Sequence, residues 1–291
     1  MNTMTAELDD KKMDEVLKGY SIPTQPKVMI EVMKERRKPE PSLVAIANII
    51  SSDVGLASAV LKTINSPFFG MRHKVESINQ AVMILGMKNI ANLITGYSIR
   101  QSMGGKCAIS LERFWDTATD VANISATIAR KLTLQVSPDE AYMLGLFIDC
   151  GIPILATKFE DYKLVLIESN AEQDKEMTEI EESHYKTNHA IIGFYTSRSW
   201  GLADPIRQAI LYHHDIESLY QNDGDKEGMK KDDLIAIQKM AENIAHTYTS
   251  RHLSEHLEWE RVKQKTLNYI GLNEIDYEDL KEDIQEMMQS D

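Results

Sequence analysis

The sequence predicts an all-α protein, and three observations support this fold class. Apolar residues recur at spacings of three and four along most of the chain, as they do on the buried face of an amphipathic helix. No run of alternating apolar and polar residues lies between hairpin turns, so strands are not expected. Helix-start signals are frequent, and the strongest is Ser137-Pro138-Asp139-Glu140, which places proline at the first helical position.

The first part of the chain divides into helices separated by glycines and polar segments. Asp53 is placed to cap a helix on which Leu56, Val60 and Ile64 share one face. Ser77 with Gln80 fits the reciprocal capping box, in which each end's side chain accepts from the other's amide. We predict helices over residues 5–19, 26–37, 42–51, 53–65, 77–85 and 87–103.

The second part continues the pattern with its own start and stop signals. Thr178 with Glu181 fits another capping box, and Asp204-Pro205 repeats the proline device. The polar stretch from Gln221 to Asp233 predicts a mobile surface loop. We predict helices over residues 110–133, 138–148, 153–159, 160–170, 178–185, 188–199, 204–214, 232–250, 255–269 and 276–288.

A glycine-containing break divides these helices into two lobes. Met103-Gly104-Gly105-Lys106 is the sharpest change of composition in the first half and separates two long helical patterns. We therefore expect an N-terminal helical lobe over residues 1–107 and a second lobe over 108–291, which ends in an acidic helix. Asn65-Ser66-Pro67-Phe68-Phe69-Gly70 is expected to pack the lobes together.

Composition excludes several classes of protein. The 291 residues are 43% hydrophobic and 26% charged, which excludes intrinsic disorder of the whole chain. A formal charge of −13 disfavours a nucleic-acid partner, because phosphate contacts need a basic surface. Only Cys107 and Cys150 occur, so no disulfide framework is expected. We find no signal sequence and no apolar stretch of membrane length, and expect a cytoplasmic protein without a membrane partner.

Side chains capable of metal or acid–base chemistry concentrate in the second half, yet each has a plain structural interpretation. His213 lies on a helical stripe with Ile206 and Ile210, which favours a core histidine, although the vicinal pair with His214 also suits one or two metal ions. Cys150 has no evident histidine base and is expected to be a small buried hydrophobe. The candidates are Asp149, Cys150, His189, His213, His214 and Glu242.

Several motifs resemble the HDOD domain, a bacterial signalling output domain related to HD phosphohydrolases. The most specific is the asparagine-serine-aromatic block at Asn65-Ser66-Pro67-Phe68-Phe69-Gly70, and the resemblance covers most of the chain. The other motifs that carry it are Ser21-Ile22-Pro23-Thr24-Gln25-Pro26, Ile50-Ser51-Ser52-Asp53-Val54-Gly55-Leu56, Ser77-Ile78 through Ile84-Leu85-Gly86, Phe114-Trp115, Ala141 to Gly151, His189 to Leu202 and Ile210 to His214. It implies a two-lobed helical architecture with an HD-like helical core.

The resemblance also implies that the metal site of active HD phosphohydrolases is degenerate here. That site has four ligands: a histidine, an adjoining His-Asp pair and a distant aspartate. The first histidine aligns with Thr117, the histidine of the pair with Ile148, its aspartate with Asp149, and the distant aspartate with Glu242. With two nitrogen donors lost, the site is expected to bind metal poorly and to lack an activated water. We therefore expect no catalytic residue and no resident metal.

Three retained histidines leave a second interpretation open. His189, His213 and His214 resemble the additional histidines of the HD-GYP branch, whose sites hold more than one metal ion and hydrolyse cyclic di-GMP. The Gly-Tyr-Pro signature is absent, because His214-Asp215-Ile216-Glu217-Ser218 stands in its place. We favour histidines that are hydrogen-bonded in the helical core over a rearranged site.

The resulting functional hypothesis is a non-catalytic bacterial signal-transduction module. It acts through contacts with a signalling protein, or through a small ligand in the vestigial pocket near Asp149, His189 and His213. The alternative is a metal-dependent phosphohydrolase that uses a rearranged site of Asp149, His189, His213, His214 or Glu242 with manganese, iron or nickel.

Overall fold

The structure, a computed structural model, describes residues 17–20, 25–69, 71–102, 106–172, 175–215, 219–220, 226–250 and 257–289. Within these ranges it contains fourteen α-helices, one short 3₁₀ helix at Pro67–Phe69 and no strand, which confirms the all-α prediction. The helices are α1 (Lys27–Arg36), α2 (Leu43–Ser51), α3 (Val54–Ile64), α4 (Ile78–Ser102), α5 (Leu111–Lys131), α6 (Pro138–Phe147), α7 (Gly151–Lys158), α8 (Tyr162–Ala171), α9 (Met177–Tyr185), α10 (His189–Ser199), α11 (Asp204–Tyr212), α12 (Lys226–Ser250), α13 (Leu257–Ile270) and α14 (Glu274–Gln289).

The helix starts follow the capping signals of the sequence in most places. Asp53 accepts a hydrogen bond from the Leu56 amide at 3.0 Å and begins α3 as predicted. Ser137 and Glu140 form the reciprocal capping box of α6, with Pro138 at the first helical position. Gly86 has a φ of 73° and interrupts α4, close to the predicted break between two helices.

Two local predictions are wrong, and one falls outside the described residues. Helix α9 begins at Met177 and is capped by Glu176 with Glu179, so the predicted box of Thr178 with Glu181 does not form. The predicted loop over residues 221–233 is helical from Lys226 onward, because α12 starts there. The predicted helix over 5–19 lies mostly outside the described residues, and residues 17–19 form a turn.

Helices α5 and α6 pack side by side at the centre of the molecule. One face of α5 buries Val121, Ile124 and Ile128, and nearly every residue of α6 is buried. The buried apolar cluster around them runs from Met29 to Ile284, across both predicted lobes. Residues 103–105, where we place the lobe boundary, lie outside the described residues.

The turn after α3 contacts α5. Asn65 closes this turn, because its side chain accepts from the Val75 amide at 2.8 Å and donates to the Val75 carbonyl at 2.9 Å. Arg130 of α5 then donates to the Phe68 carbonyl at 2.5 Å. The turn therefore links helices of the two predicted lobes.

One segment is apolar and long enough to cross a membrane, contrary to the sequence prediction. The segment comprises α6, α7 and the turn between them, over Pro138–Lys158. Of its most apolar 18 residues, 78% are buried inside the protein. Burial of this degree is typical of a core helix. The segment also carries Asp149 between its two helices, so this carboxylate lies next to the protein interior.

Candidate functional site

Four of the predicted site residues converge at one point in the second half of the chain. Asp149 lies in the turn between α6 and α7, His189 is the first residue of α10, and His213 and His214 directly follow α11. One ligand atom from each of the four side chains lies within 4.8 Å of the others. We call these four residues the His/Asp cluster.

Close packing of α7 against α10 brings two members of the cluster together. A Cβ atom at Gly151 would lie only 2.0 Å from the His189 carbonyl oxygen and 2.9 Å from the Gly193 amide nitrogen. Only glycine fits at this contact, because any side chain would force the two helices apart. The missing side chain at Gly151 thus sets Asp149 beside His189.

The distances within the His/Asp cluster are short. The His189 Nε2 atom lies 3.3 Å from His213 Nε2 and 3.1 Å from His214 Nε2. Oδ1 of Asp149 lies 3.6 Å from His189 Nε2 and 3.5 Å from His213 Nε2. Two ligands of a tetrahedral zinc ion with bonds of about 2.1 Å are themselves about 3.4 Å apart. The observed separations therefore match those of side chains that share an ion.

The other ring nitrogen of each histidine has an acceptor. His189 Nδ1 lies 2.7 Å from Glu181 Oε2, His213 Nδ1 lies 2.8 Å from the Ile210 carbonyl, and His214 Nδ1 lies 3.0 Å from Glu258 Oε1. A carboxylate or carbonyl only accepts, so these partners assign the hydrogen of each neutral ring to Nδ1. Each Nε2 then presents a lone pair to the centre of the cluster.

This arrangement suits a divalent cation better than a proton. Three Nε2 lone pairs and a carboxylate face one another, and a proton on one ring can satisfy only some of these contacts. Histidine ligands of a metal ion characteristically donate their other ring N–H to a carboxylate or carbonyl, which fixes the tautomer and the ring orientation. All three histidines have this second partner, so the donor set fits an ion such as Zn²⁺, Ni²⁺, Fe²⁺ or Mn²⁺.

The charges around the cluster also favour a cation. Glu181 is fully buried, Glu258 is largely buried, and the side chain of Asp149 is 33% exposed. Lys239 is buried and lies 2.7 Å from Glu258 and 3.4 Å from Glu242. Asp149, Glu181 and Glu258 outnumber the one ammonium even when Glu242 is protonated, so the excess of negative charge favours a divalent ion.

The pKa directions follow from burial and from these contacts. Burial, with the charge of His214, lowers the pKa of His213 to about 3, so this ring is neutral and free to ligate. Burial opposes charge on His189, but Glu181 outweighs it and raises the His189 pKa. Burial likewise opposes charge on Asp149, yet its contacts with His213 and His189 hold its pKa below the usual value.

Glu242 lies beside the His/Asp cluster rather than in it. Gln238 Nε2 donates to it at 3.2 Å and Lys239 Nζ at 3.4 Å. Burial raises its pKa to about 7, against the lowering effect of Lys239. Of the two positions expected to have lost a ligand, Thr117 is exposed on α5 and Ile148 is buried in the apolar core. Neither position supplies the imidazole nitrogen that the resemblance assigns to it.

The other sequence interpretations have clear outcomes. Cys150 is fully buried, its Sγ lies 3.7 Å from the Gly193 carbonyl, and burial raises the pKa of its thiol. It is therefore the inert, small hydrophobe that we predict. His213 is fully buried and contacts Ile210 as its stripe predicts, but it also belongs to the cluster.

Three supporting residues are absent from the sequence prediction. Glu181 resembles part of a capping box, Glu258 resembles a surface charge on an amphipathic helix, and Lys239 lies on α12 among apolar neighbours. Tyr162 also donates to Glu181, on the oxygen that His189 does not use. The one local signal that could identify such residues is a charged side chain on the apolar face of a predicted helix. Lys239 and Glu181 show this signal, and Glu258 does not.

Comparison with known proteins gives matches over most of the chain. The sequence matches the HDOD domain over residues 22–216. A protein of Treponema pallidum (strain Nichols) is 26% identical over 199 residues, which cover 67% of this chain and 38% of the relative. This chain therefore spans less than two fifths of the matched relative.

Solved structures share the fold. A protein of Shewanella amazonensis SB2B, named "Putative phosphohydrolase", has a TM-score of 0.67 at 21% identity, over 95% of this chain and 93% of that one. One of Marinobacter aquaeolei VT8, named "Putative signal transduction protein", has a TM-score of 0.65 at 19% identity, over 95% of this chain and 58% of that one. The match over residues 22–216, together with the all-helical fold, establishes that this chain belongs to the HDOD domain family.

Proposed function

We propose that this protein is a regulatory HDOD module that holds one divalent transition-metal ion on Asp149, His189, His213 and His214. The observation that carries the proposal is the convergence of one Asp oxygen and three Nε2 atoms, which lie within 4.8 Å of one another. In the sequence alone, the loss of two ligand positions argues against an ion. The geometry of the four retained side chains favours one.

The residues of the chain have separate tasks in this proposal. Glu181, Glu258 and the Ile210 carbonyl orient the three imidazoles, and Lys239 compensates Glu258 when no ion is bound. Asp149 supplies the one charged ligand and is the most exposed of the four, since its side chain is 33% exposed. An ion bound here would join the α6–α7 turn to the start of α10 and the end of α11.

A regulatory role fits the chemistry of the site better than hydrolysis. Ile148 is buried in the core, and Thr117 is exposed on α5. Glu242 is already held by Gln238 and Lys239. The resemblance gives these three positions to catalytic metal ligands, but here they add no ligand to the site. A site that lacks these ligands is less suited to hydrolysis. We therefore favour a module that passes its signal through a protein contact.

Hydrolysis of a phosphoester is the second candidate, and the exposure of Asp149 favours it. A third of that side chain is open to solvent, so a substrate oxygen or water has access to the cluster. A bound divalent ion lowers the pKa of a coordinated water and polarises phosphoryl oxygens. The Shewanella amazonensis protein of similar fold is named "Putative phosphohydrolase". At 21% identity this likeness supports the shared fold and not the activity.

Metal content tests the first proposal. The untagged chain is incubated separately with manganese, iron, nickel or zinc, desalted, and analysed by elemental mass spectrometry. We expect about one ion per chain, reduced at least tenfold in Asp149→Ala and His214→Gln. His73→Ala is the matched control, because His73 is exposed and is distant in the sequence from the four cluster residues. Protein that retains none of these ions, or variants that retain as much as the wild type, would overturn it.

Phosphodiesterase activity separates the two candidates. The metal-loaded protein and Asp149→Ala are assayed with bis(p-nitrophenyl) phosphate and with cyclic dinucleotides. The regulatory proposal expects the same background rate for both proteins. A metal-dependent rate that Asp149→Ala and His213→Ala abolish, while circular dichroism shows both variants folded, would establish the phosphohydrolase instead.

A further inference from the structure

A cavity lies between helices α3, α4, α5 and α6, separate from the His/Asp cluster. Its volume is about 1070 Å³, which is in the size range of pockets that bury a small organic ligand. Its walls come from α3 with the following turn, from the C-terminal part of α4, and from one face of α5, with Tyr142 and Leu146 of α6. None of the cluster residues lines it.

The wall of this cavity contains buried polar groups without a partner. Trp115 is 2% exposed and Asn123 is 7% exposed, and both line the cavity. The Trp115 Nε1 and Asn123 Oδ1 atoms make no hydrogen bond, and neither does Oγ of Ser66 in the same wall. Buried polar atoms in native proteins are nearly always satisfied, so an unpaired group requires an explanation. All three atoms belong to residues of one cavity wall, so a ligand in the cavity is a candidate partner for them.

The remaining walls define what kind of ligand fits. Four aromatic side chains, Phe68, Tyr97, Trp115 and Tyr142, line the cavity and provide faces for a planar ring. Asp120 also lines it, half-buried near Asp116. Its carboxylate accepts hydrogen bonds from N–H groups of a ring, while the Trp115 N–H donates to a ring nitrogen or carbonyl.

The outer part of the cavity carries three cations, alongside the exposed carboxylates of Glu76 and Asp116. Lys62, Lys74 and Arg100 line it and are all exposed, so they lie toward its mouth. Arg100 is paired with Asp116 at 3.3 Å, and both of those side chains are largely exposed. An exposed ion pair of this kind contributes little, so the arginine can exchange its partner for an anion on a ligand.

We propose that this cavity binds a planar nitrogen heterocycle with an anionic substituent, the chemistry of a nucleoside monophosphate. The ring lies among the aromatic side chains with its polar edge toward Trp115, Asp120 and Asn123. The anion lies at the mouth with Lys62, Lys74 and Arg100. This assignment does not depend on metal at the His/Asp cluster, because the two sites share no residue.

Binding is measured by isothermal titration calorimetry on the full chain with AMP and GMP, then with adenosine, guanosine and inorganic phosphate. We expect at least one monophosphate to bind, its nucleoside to bind at least threefold more weakly, and phosphate alone not to bind. Absence of binding by both monophosphates overturns the proposal. Binding of phosphate as tight as that of the monophosphates shows an anion site only and overturns it as well.

Two substitutions locate the binding to this cavity. Asn123→Leu replaces a side chain whose Oδ1 is unpaired by an apolar group of similar size, and Trp115→Phe removes the unpaired N–H but keeps an aromatic ring. We expect each to weaken monophosphate binding at least tenfold, whereas Trp259→Phe, which lies in another part of the core against Tyr277, leaves it unchanged. Unchanged binding in both cavity variants overturns the proposal.

Thermal unfolding distinguishes a binding group from a structural defect. Removal of an unsatisfied buried amide stabilises the free protein, so Asn123→Leu is expected to raise Tm without ligand. The rise of Tm that the monophosphate gives in the wild type is expected to disappear in this variant. A ligand-induced rise equal to that of the wild type contradicts a role of Asn123 in binding.

Discussion

One carboxylate oxygen of Glu181 accepts two hydrogen bonds from His189, from the ring Nδ1 at 2.7 Å and from the backbone amide at 2.9 Å. The other oxygen accepts from Tyr162. The side chains of Glu181 and His189 are both fully buried. This contact fixes the rotamer and the tautomer of His189 before any ligand arrives, and so supports the His/Asp cluster.

The loss of this contact is expected to weaken metal binding. Glu181→Gln keeps the shape of the side chain but removes its charge, so the imidazole loses basicity and orientation. Substitution of such outer partners typically lowers metal affinity about 10- to 100-fold. Competition titration with a chromophoric chelator measures the affinity, with Glu160→Gln as control, because Glu160 is 82% exposed. Equal affinities of wild type and Glu181→Gln contradict the proposed support.

Lys239 is expected to be essential for the stability of the metal-free protein. Lys239→Met leaves Glu258 and Glu242 buried without their ammonium partner. Loss of one member of a buried ion pair costs about 3–5 kcal/mol, and urea unfolding of metal-free protein measures it. The control is Lys27→Met, whose side chain is 90% exposed and whose ion pair contributes little. A bound divalent ion is expected to reduce the loss in Lys239→Met.

Titration of Asp120, in the cavity wall, is expected to make the stability of the protein depend on pH. Burial, with a smaller effect of Asp116, raises the pKa of Asp120 above 3.8. The native state then binds this proton more tightly than the unfolded state, so the free energy of unfolding falls as pH rises from about 3.8 through the raised pKa. Asn cannot titrate, so Asp120→Asn is expected to be more stable than wild type at pH 7.

This difference in stability is expected to shrink toward pH 3, where the wild-type carboxyl is protonated in both states. Urea unfolding at several pH values measures it. The control is Asp279→Asn on the exposed face of α14. A difference between Asp120→Asn and wild type that stays constant from pH 3 to pH 7 contradicts the assignment.

Asp53 is expected to stabilise the start of α3, the helix whose later residues line the cavity. Its side chain accepts from the Leu56 amide at 3.0 Å, and removal of such a cap costs about 0.5–2 kcal/mol. Thermal unfolding of Asp53→Ala measures the loss. Ser58→Ala serves as control, because Ser58 is an exposed residue within the same helix and should change stability much less. A Tm of Asp53→Ala equal to that of the control contradicts the cap.

The sequence predicts the parts of the fold that depend on neighbouring residues. The caps at Asp53 and Ser137, and the break in α4 near Gly86, are local, and the structure confirms them. Glu181 shows the limit of this approach. Its spacing from Thr178 fits a capping box, yet α9 begins at Met177, which places Glu181 inside the helix and turns it toward the core.

The candidate site follows the same division. The sequence identifies Asp149, His189, His213 and His214 by residue type, and the structure places them together. It does not reveal Glu258, because that glutamate reaches His214 from a distant helix and its local pattern is that of an ordinary amphipathic surface. A contact between helices that are remote in the sequence leaves no local periodicity, so only the packed structure shows it.

The members of the His/Asp cluster come from three separate segments of the chain. An unfolded chain does not hold these segments together, so an ion bound as proposed stabilises the native state alone. The fraction of molecules open to proteases then falls as the ion becomes more available. The cellular lifetime of the protein, and with it the number of copies able to signal, would follow the supply of the metal.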